Sequence, residues 1–511
     1  MAAAAYRANL FGQHPFGLFD LHWYGGHYLL GYSLLAPALG WLLGVRLCLA
    51  ASGLAAAPAF ALLAESLYRS PGAAALSAAF FAFGFTAELW SARQPFDLGF
   101  AFGLWALVAL WRSRRLGAAL LLGLLTGLTS PVAGLFLALV ATARALGGRL
   151  RPARPAAADL ALAAIAIAPP GLLTLLFGEG GYEPFAASAF WPAFGAAALL
   201  LGAVALLPFQ RAATRPLAFG ILLYLLLLLG SFLIRSPLGS NALRLGALVG
   251  PPLAAGGLAE PPRRTLLLAL LAPALLYWQT AATVHDQLSL ASNPATNQSF
   301  FASLRRQVVA LSHGKPVRIE VPMVKSHDEA LWLAGGPLLL ARGWERQLDT
   351  RFAGLFYGTA LRPQQLRNWL YENGVSYLAL PKAPLDSAGR LEAALLADRP
   401  PFLKPVFANA GWRLYAVAGS PGLIQPAGAV EAVGAEALTL RLPGPGTYRL
   451  AFRYTPYWRT AAPACPFRLP GGWLGLAARR GGVLRLEVSL SLSGLVGSSC
   501  RPTAGKPPAL R

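Results

Sequence analysis

From about Tyr28 to Ala282 the chain passes through one apolar stretch after another, separated by brief polar punctuation. Each stretch is close to the ~20 residues a helix needs to cross a hydrocarbon core. The pattern predicts spans near 45–66, 72–90, 96–112, 115–129, 131–145, 157–177, 190–208, 216–234, 241–258 and 264–282. The run 115–145 is continuous except at Thr129-Ser130-Pro131. Proline has no backbone donor, so a turn between two short, tilted spans fits better there than one helix.

After about Val284 the period changes. Val317–Val321, Val375–Leu380 and Trp412–Val417 read as strands, and Leu361–Asn373 reads as a helix closed by Asn373-Gly374. Leu391–Leu396 reads as a further short helix, which completes a small α/β module. Beyond Pro421 the apolar positions alternate in 438–442, 447–454 and 484–492, with Gly/Pro turns between them, the pattern of an antiparallel sandwich. The expected fold is therefore an α-helical polytopic membrane domain of about ten spans, an extracytoplasmic α/β module and a C-terminal antiparallel β-sandwich. The expected divisions are 1–44 (external loop and re-entrant amphipathic segment), 45–283 (membrane domain), 284–420 (α/β) and 421–511 (sandwich).

Composition sharpens the class. Of 511 residues only 13% are charged, about half the share usual in soluble domains, which excludes an ordinary cytosolic enzyme. The net charge of +22 would suggest nucleic acid, but the basic residues, mostly Arg, are scattered between apolar runs, so no nucleic-acid partner is expected. Their distribution sets an orientation instead. Arg69, Arg112, Arg114, Arg115, Arg149, Arg151, Arg154, Arg211, Arg215, Arg263 and Arg264 fall in alternate loops, which are predicted to be cytoplasmic. The opposite loops hold Arg93, Arg235, Arg244 and the acidic passage Glu179–Glu183. The protein is thus expected in the cell membrane, with 11–44 and everything after about Thr283 outside. Such a start calls for an earlier inbound span upstream of Met1, or for Tyr28–Leu43 as a re-entrant segment; the first fits better. Cys465 and Cys500 fall in the last module, where an oxidising compartment lets them pair, closing a loop worth roughly 3–4 kcal/mol. Cys48 lies in a span and is read as packing.

Ionisable groups are rare in the membrane half, so each is informative. Asp20, Glu88, Asp97, Glu179 and Glu183 fall at or near the external face, together with His22, His27, Arg93, Arg235 and Arg244. An acid-and-Arg cluster suits a phosphate-bearing lipid, since Arg presents paired donors to phosphate and a carboxylate can take a proton from an attacking hydroxyl. Phe19–Tyr28, with Trp23 and Tyr24, reads either as part of that site or as an interfacial aromatic belt. His22 and His27 show no third ligand, and no metal or other cofactor is expected. In the tail, Arg342, Trp344, Glu345, Arg346, Gln347 and Asp349 form the densest polar-aromatic cluster. They read either as an acceptor groove or as an internal network of Glu345 and Asp349 with Arg342 and Arg346.

The order of an external Asp20, an aromatic-Gly segment, the amphipathic 28–43, a span, Tyr68-Arg69, a span, Ala92-Arg93-Gln94, a span and Trp111-Arg112 resembles the GT-C superfamily of polytopic glycosyltransferases. More narrowly, Tyr6–Phe11, Trp23–His27 and Ala341–Asp349 look like a group of uncharacterised actinobacterial multi-spanning proteins related to a pyruvoyl-tetrahydropterin-synthase-related membrane domain. The resemblance implies transfer of a hexose or pentose from a polyprenyl-phosphate-linked donor to a cell-envelope glycan or lipid acceptor, outside the lipid bilayer that holds the enzyme. It implies Asp20 as base. The residues themselves make His22, Trp23, Tyr24, His27, Arg93, Glu183, Arg244, Arg342, Trp344, Gln347 and Asp349 the candidate substrate contacts. The related proteins carry a further acidic residue in a segment that would precede Met1. A membrane transporter would also place charges between spans but should show two related halves, and no internal repeat is visible. A non-catalytic envelope scaffold is the other alternative.

Overall fold

The computed structural model describes residues 1–148, 156–207, 209–261, 264–461 and 463–490. It separates into two compact units: a helical unit of Ala3–Gly12 and Gly31–Leu288, and a tail unit of Gln13–Leu30 with the chain from Ser289 onward.

In the helical unit, α1 (Ala2–Gln13) and α2 (Leu35–Leu43) precede α3 (Val45–Ala64), α4 (Pro71–Trp90), α5 (Gln94–Trp111), α6 (Leu116–Thr129), α7 (Pro131–Gly148), α8 (Ala156–Phe177), α9 (Ala187–Leu206), α10 (Arg211–Leu233), α11 (Leu243–Ala259) and α12 (Thr265–Leu290). Among the described residues nine helices are long and apolar enough to cross a membrane, α11 together with its leading turn from Gly239; α6, with 14 residues, is shorter. The chain is a multi-pass membrane protein. The α6–α7 break falls where the sequence placed it. Ser130 has an extended backbone, its hydroxyl accepts the Ala133 amide (3.3 Å), and Pro131 opens the new helix. Ser70 caps α4 in the same way.

Burial ranks the helices. α5 and α11 are 72% and 67% buried, whereas α12 is only 11% buried and presents Leu266, Leu270 and Leu288 outward. Apolar side chains exposed on a spanning helix face lipid, so α5 and α11 are the central helices. α5 packs against α3, α6 and α7, and α11 against α4 and α9. Gly127 and Gly134 let α6 and α7 approach α8, because a Cβ at either would meet the Ala166 carbonyl at 2.3 or 2.5 Å.

The loops sort to two ends of this bundle. At one end the Glu260 carboxylate accepts the amides of Arg69 and Ser70, Arg112 pairs with Glu65 (2.7 Å), and Arg144 lies 3.6 Å from Asp159. At the other end Gln94 donates to the Ala36 carbonyl (3.0 Å), and the Glu183 amide to the Ser236 carbonyl (3.0 Å). The basic loops that the sequence assigned to one side do share one end, as far as they are described; Arg149, Arg151, Arg154 and Arg263 lie outside the described residues.

The tail unit begins with a hairpin of β1 (Phe19–Asp20) and β2 (His27–Tyr28). Gly26, at φ 124°, makes its turn; a Cβ there would lie 2.3 Å from the Phe19 ring. The α/β module holds β3 (Val317–Glu320), β4 (Leu338–Leu340), β5 (Val375–Pro381), β6 (Leu403–Ala408) and β7 (Trp412–Val417) in the order β4-β3-β5-β7-β6. β3 runs parallel to both neighbours, and β7 antiparallel to β5 and β6. The module's helices are α13 (Gln298–Leu311), α14 (Glu329–Trp332), α15 (Arg346–Phe352), α16 (Pro363–Glu372) and α17 (Ser387–Ala397).

The sandwich comprises β8 (Ile424–Gln425), β9 (Ala429–Val433), β10 (Ala437–Leu442), β11 (Gly446–Arg453), β12 (Trp458–Arg459), β13 (Ala464–Arg468), β14 (Trp473–Ala478) and β15 (Gly482–Val488). They form two four-stranded antiparallel sheets, β12-β15-β10-β9 and β13-β14-β11-β8. The sequence pattern had not separated out α13, β4, β6 or β14. Cys465, on β13, is disulfide-bonded; Cys500 lies outside the described residues.

Candidate functional site

At the end of the bundle opposite the basic loops, the two central helices each carry a charged residue, Asp97 on α5 and Arg244 on α11. Arg93, just before α5, donates through one nitrogen to both oxygens of Glu88 at the end of α4 (3.1 and 3.2 Å). One turn into α5, Asp97 has no exposed surface, and neither of its carboxylate oxygens makes a hydrogen bond. Its charged neighbours are Glu88, Arg93 and Arg244. Arg244, in the first turn of α11, hydrogen-bonds the Asn241 side chain and lies 4.9 Å from the Phe96 ring centre. Glu183 accepts from Ser240 (3.3 Å) and so braces the turn that launches α11. Sequence reasoning placed Glu88, Asp97, Glu183, Arg93 and Arg244 together at this end but gave Asp97 no role of its own. The signal was there: a carboxylate three positions after Gln94 in an otherwise apolar helix.

The structure corrects the reading of Asp20 and its neighbours. Asp20 is not in an open loop; it is on β1, in the interior of the tail unit with no exposed area. The passage is stitched in by backbone bonds: Leu21 N to Ala435 O, Leu340 N to His22 O and Arg453 N to Gly25 O (3.0, 2.8 and 2.7 Å). Asp20 accepts from the His22 amide (3.0 Å) and ring (3.2 Å), and the His27 ring lies 3.9 Å from its other oxygen. Burial works to raise the Asp20 pKa, but the His22 hydrogen bonds and the two imidazoles outweigh it and hold the carboxyl below its ordinary value. Trp23, stacked on His27 and donating to the Ala330 carbonyl, and Tyr24, bonded to the Glu345 backbone, are also fully buried. They present no exposed aromatic belt, because protein surrounds them. Asp20 belongs to the tail unit and Arg93 and Arg244 to the helical unit.

The Arg342–Asp349 passage is the internal network, with one exchange of partners. Arg342 pairs with Asp349 and lies 3.7 and 3.8 Å from Glu320 and Glu392. Arg346 takes Asp386 (2.9 and 3.0 Å), not Glu345, and donates to the Tyr357 hydroxyl, which in turn donates to Asp349 (2.6 Å). Burial opposes the Arg346 charge, yet the hydrogen bonds and charge of Asp386 carry its pKa upward. Trp344 stacks on His327, whose pKa burial pushes down to about 3, and lies under the Arg346 guanidinium (4.8 Å). Gln347 opens α15 and accepts from Thr350 through its carbonyl. Arg342 and Asp349 are thus occupied by each other and do not line an acceptor groove. Among the described residues no group of three or more His, Cys, Asp or Glu is placed to hold a metal ion.

Sequence reasoning missed Glu320, Glu392 and the buried Arg318. β3 is an inner strand with all four of its residues buried, so the polar members of its alternating pattern face protein rather than water. Arg318 donates to the Asn373 and Ala451 carbonyls; burial first, then Arg453 and Arg449, bring its pKa down to about 9.

The chain matches no family model and no curated protein. Among solved structures it is similar to two crystal structures of ArnT from Cupriavidus metallidurans. The apo state shows 13% identity and a TM-score of 0.37, and the undecaprenyl-phosphate-bound state 14% and 0.36; each comparison covers 82% of this chain and 93% of that one.

Proposed function

We propose that the chain is a membrane-embedded glycosyltransferase of the GT-C kind, moving a sugar from a polyprenyl-phosphate donor to a hydroxyl of an envelope glycan or lipid. The observation that carries this reading is Asp97, a carboxylate on the most buried spanning helix with both oxygens unbonded, set among Glu88, Arg93 and Arg244. A buried carboxylate whose oxygens make no hydrogen bond is costly to keep, and such residues cluster where chemistry uses them. In this reading the acceptor oxygen forms a bond to the anomeric carbon as the bond from that carbon to the phosphate oxygen breaks. The acceptor proton passes to Asp97, and the electron pair leaves with polyprenyl phosphate. Arg244 and Arg93 offer paired donors where the leaving phosphate gathers charge.

The role of base that the sequence resemblance gave to Asp20 passes to Asp97, since Asp20 is closed off by His22 and His27. Glu183 and Asn241 act by positioning, through the turn that carries Arg244. The test is turnover of a polyprenyl-phosphate-linked sugar by the purified protein in the presence of envelope acceptor. Release of polyprenyl phosphate with matching sugar transfer supports the reading; no release with any hexosyl or pentosyl donor rejects it.

A further inference from the structure

A cavity of about 970 Å³ lies within the helical unit, at the upper end of the roughly 300–1,000 Å³ typical of ligand pockets. Its long wall is apolar, formed by side chains such as Leu104, Leu137, Val140, Ile221 and Val249. Its charged groups gather towards the end that holds the basic loops: Arg112, Arg144, Asp159, Arg211 and Arg215. Two of these arginines are already engaged, Arg112 with Glu65 and Arg144 near Asp159. Arg211 and Arg215 are exposed and have no carboxylate partner among the described residues. Four positions apart on α10, they stand on one face, where two like charges repel unless an anion sits between them. From Arg211 to Tyr224, both in the cavity wall, α10 rises about 20 Å, roughly two-thirds of a ~30 Å hydrocarbon core.

A long apolar wall with a pair of unneutralised arginines at one end complements a molecule with an anionic head and a long hydrocarbon tail. We propose that this cavity binds an anionic phosphate-headed lipid, its phosphate on Arg211 and Arg215 and its tail running inward along α10. Arg suits that head because its guanidinium presents paired donors to phosphate oxygens and keeps its charge. The site is distinct from the Asp97 cluster, which the structure places at the opposite end of the bundle, and it stands whether or not the chain transfers sugar. The head chemistry is shared by a leaflet glycerophospholipid and by polyprenyl phosphate, and the experiment separates them.

The full chain, purified in detergent and stripped of lipid, is presented separately with phosphatidylglycerol, phosphatidylcholine and polyprenyl phosphate, and retained lipid is read by native mass spectrometry. The expected result is retention of phosphatidylglycerol or polyprenyl phosphate, whichever dominates naming the source, with phosphatidylcholine held about tenfold less. R211A/R215A should lower retention by about tenfold or more, from about 1 kcal/mol per arginine. G220L and G103L should abolish it by filling the cavity; an added Cβ at either position meets nothing closer than 3.6 Å, and unchanged melting temperatures show that the fold survives. Equal retention of phosphatidylcholine, or undiminished retention in R211A/R215A or in a folded filling variant beyond the one equivalent of polyprenyl phosphate that a donor site at Arg93 and Arg244 would hold, would overturn the proposal.

Discussion

Arg342 and Asp349 meet through two side-by-side hydrogen bonds of 2.9 and 2.6 Å, both partners buried, with the Phe356 ring 4.2 Å from the guanidinium. Such a pair contributes little over an apolar replacement, but removing one partner leaves a buried charge uncompensated. D349N should therefore destabilise the tail unit by about 3–5 kcal/mol, whereas D349L combined with R342M should cost less than D349N alone. Urea unfolding of the detergent-solubilised chain, followed by tryptophan fluorescence, measures both. A D349N loss below 1 kcal/mol would show that the pair is not closed from solvent.

Beside that pair, Glu320 and Glu392 have no exposed surface. Burial, then the charge of Glu392, drives the Glu320 carboxyl well above its ordinary value; burial raises Glu392 to about 7 despite Arg342. An acid with a raised pKa in the fold holds its proton longer than the unfolded chain does. Its contribution is intact below the unfolded value near 4.5 and declines as pH rises through the folded one. E392Q, which cannot ionise, should gain melting temperature over the parent at pH 8 and show no gain at pH 4. An equal shift at both pH values would contradict this.

The arginine distribution predicts a sidedness that labelling can test. Single cysteines replacing Arg114 should be shielded from an impermeant thiol reagent added outside, and those replacing Lys325 or Lys382 should react. Labelling of position 114 with protection of 382 would invert the orientation.

For Cys465, the expected partner is Cys500. Non-reducing peptide mapping should find the two linked, and reduction should lower the stability of the sandwich by a few kcal/mol. Recovery of both as free thiols would remove the bond and the oxidising compartment argued from it.

The spanning helices were legible because hydrocarbon admits only long apolar helices, and Pro131 marked its own break. The tail strands were legible from alternation at 375–380, 438–442 and 447–454. Asp20 was misplaced because sequence shows only its neighbours along the chain; the backbone bonds of Leu21, His22 and Gly25 beside it run to Ala435, Leu340 and Arg453, hundreds of positions away. Glu320 drew no notice because alternation cannot tell an edge strand from an inner one covered on both faces. Asp97 stood in plain view, but its lack of any hydrogen-bond partner is a property of packing, which only coordinates reveal.

The central claim is that the Asp97 carboxylate takes the acceptor proton, and the measurement that tests it most directly is sugar transfer by D97N beside D20N. D97N keeps the side chain's shape and removes the base, so kcat should fall by about 10²–10⁴-fold while donor binding persists. D97E should recover part of the rate. D20N, if it folds, should transfer at a rate near the parent's, since Asp20 is engaged with His22 and the His27 ring inside the tail unit. Full transfer by D97N, or a loss confined to a folded D20N, would contradict the account.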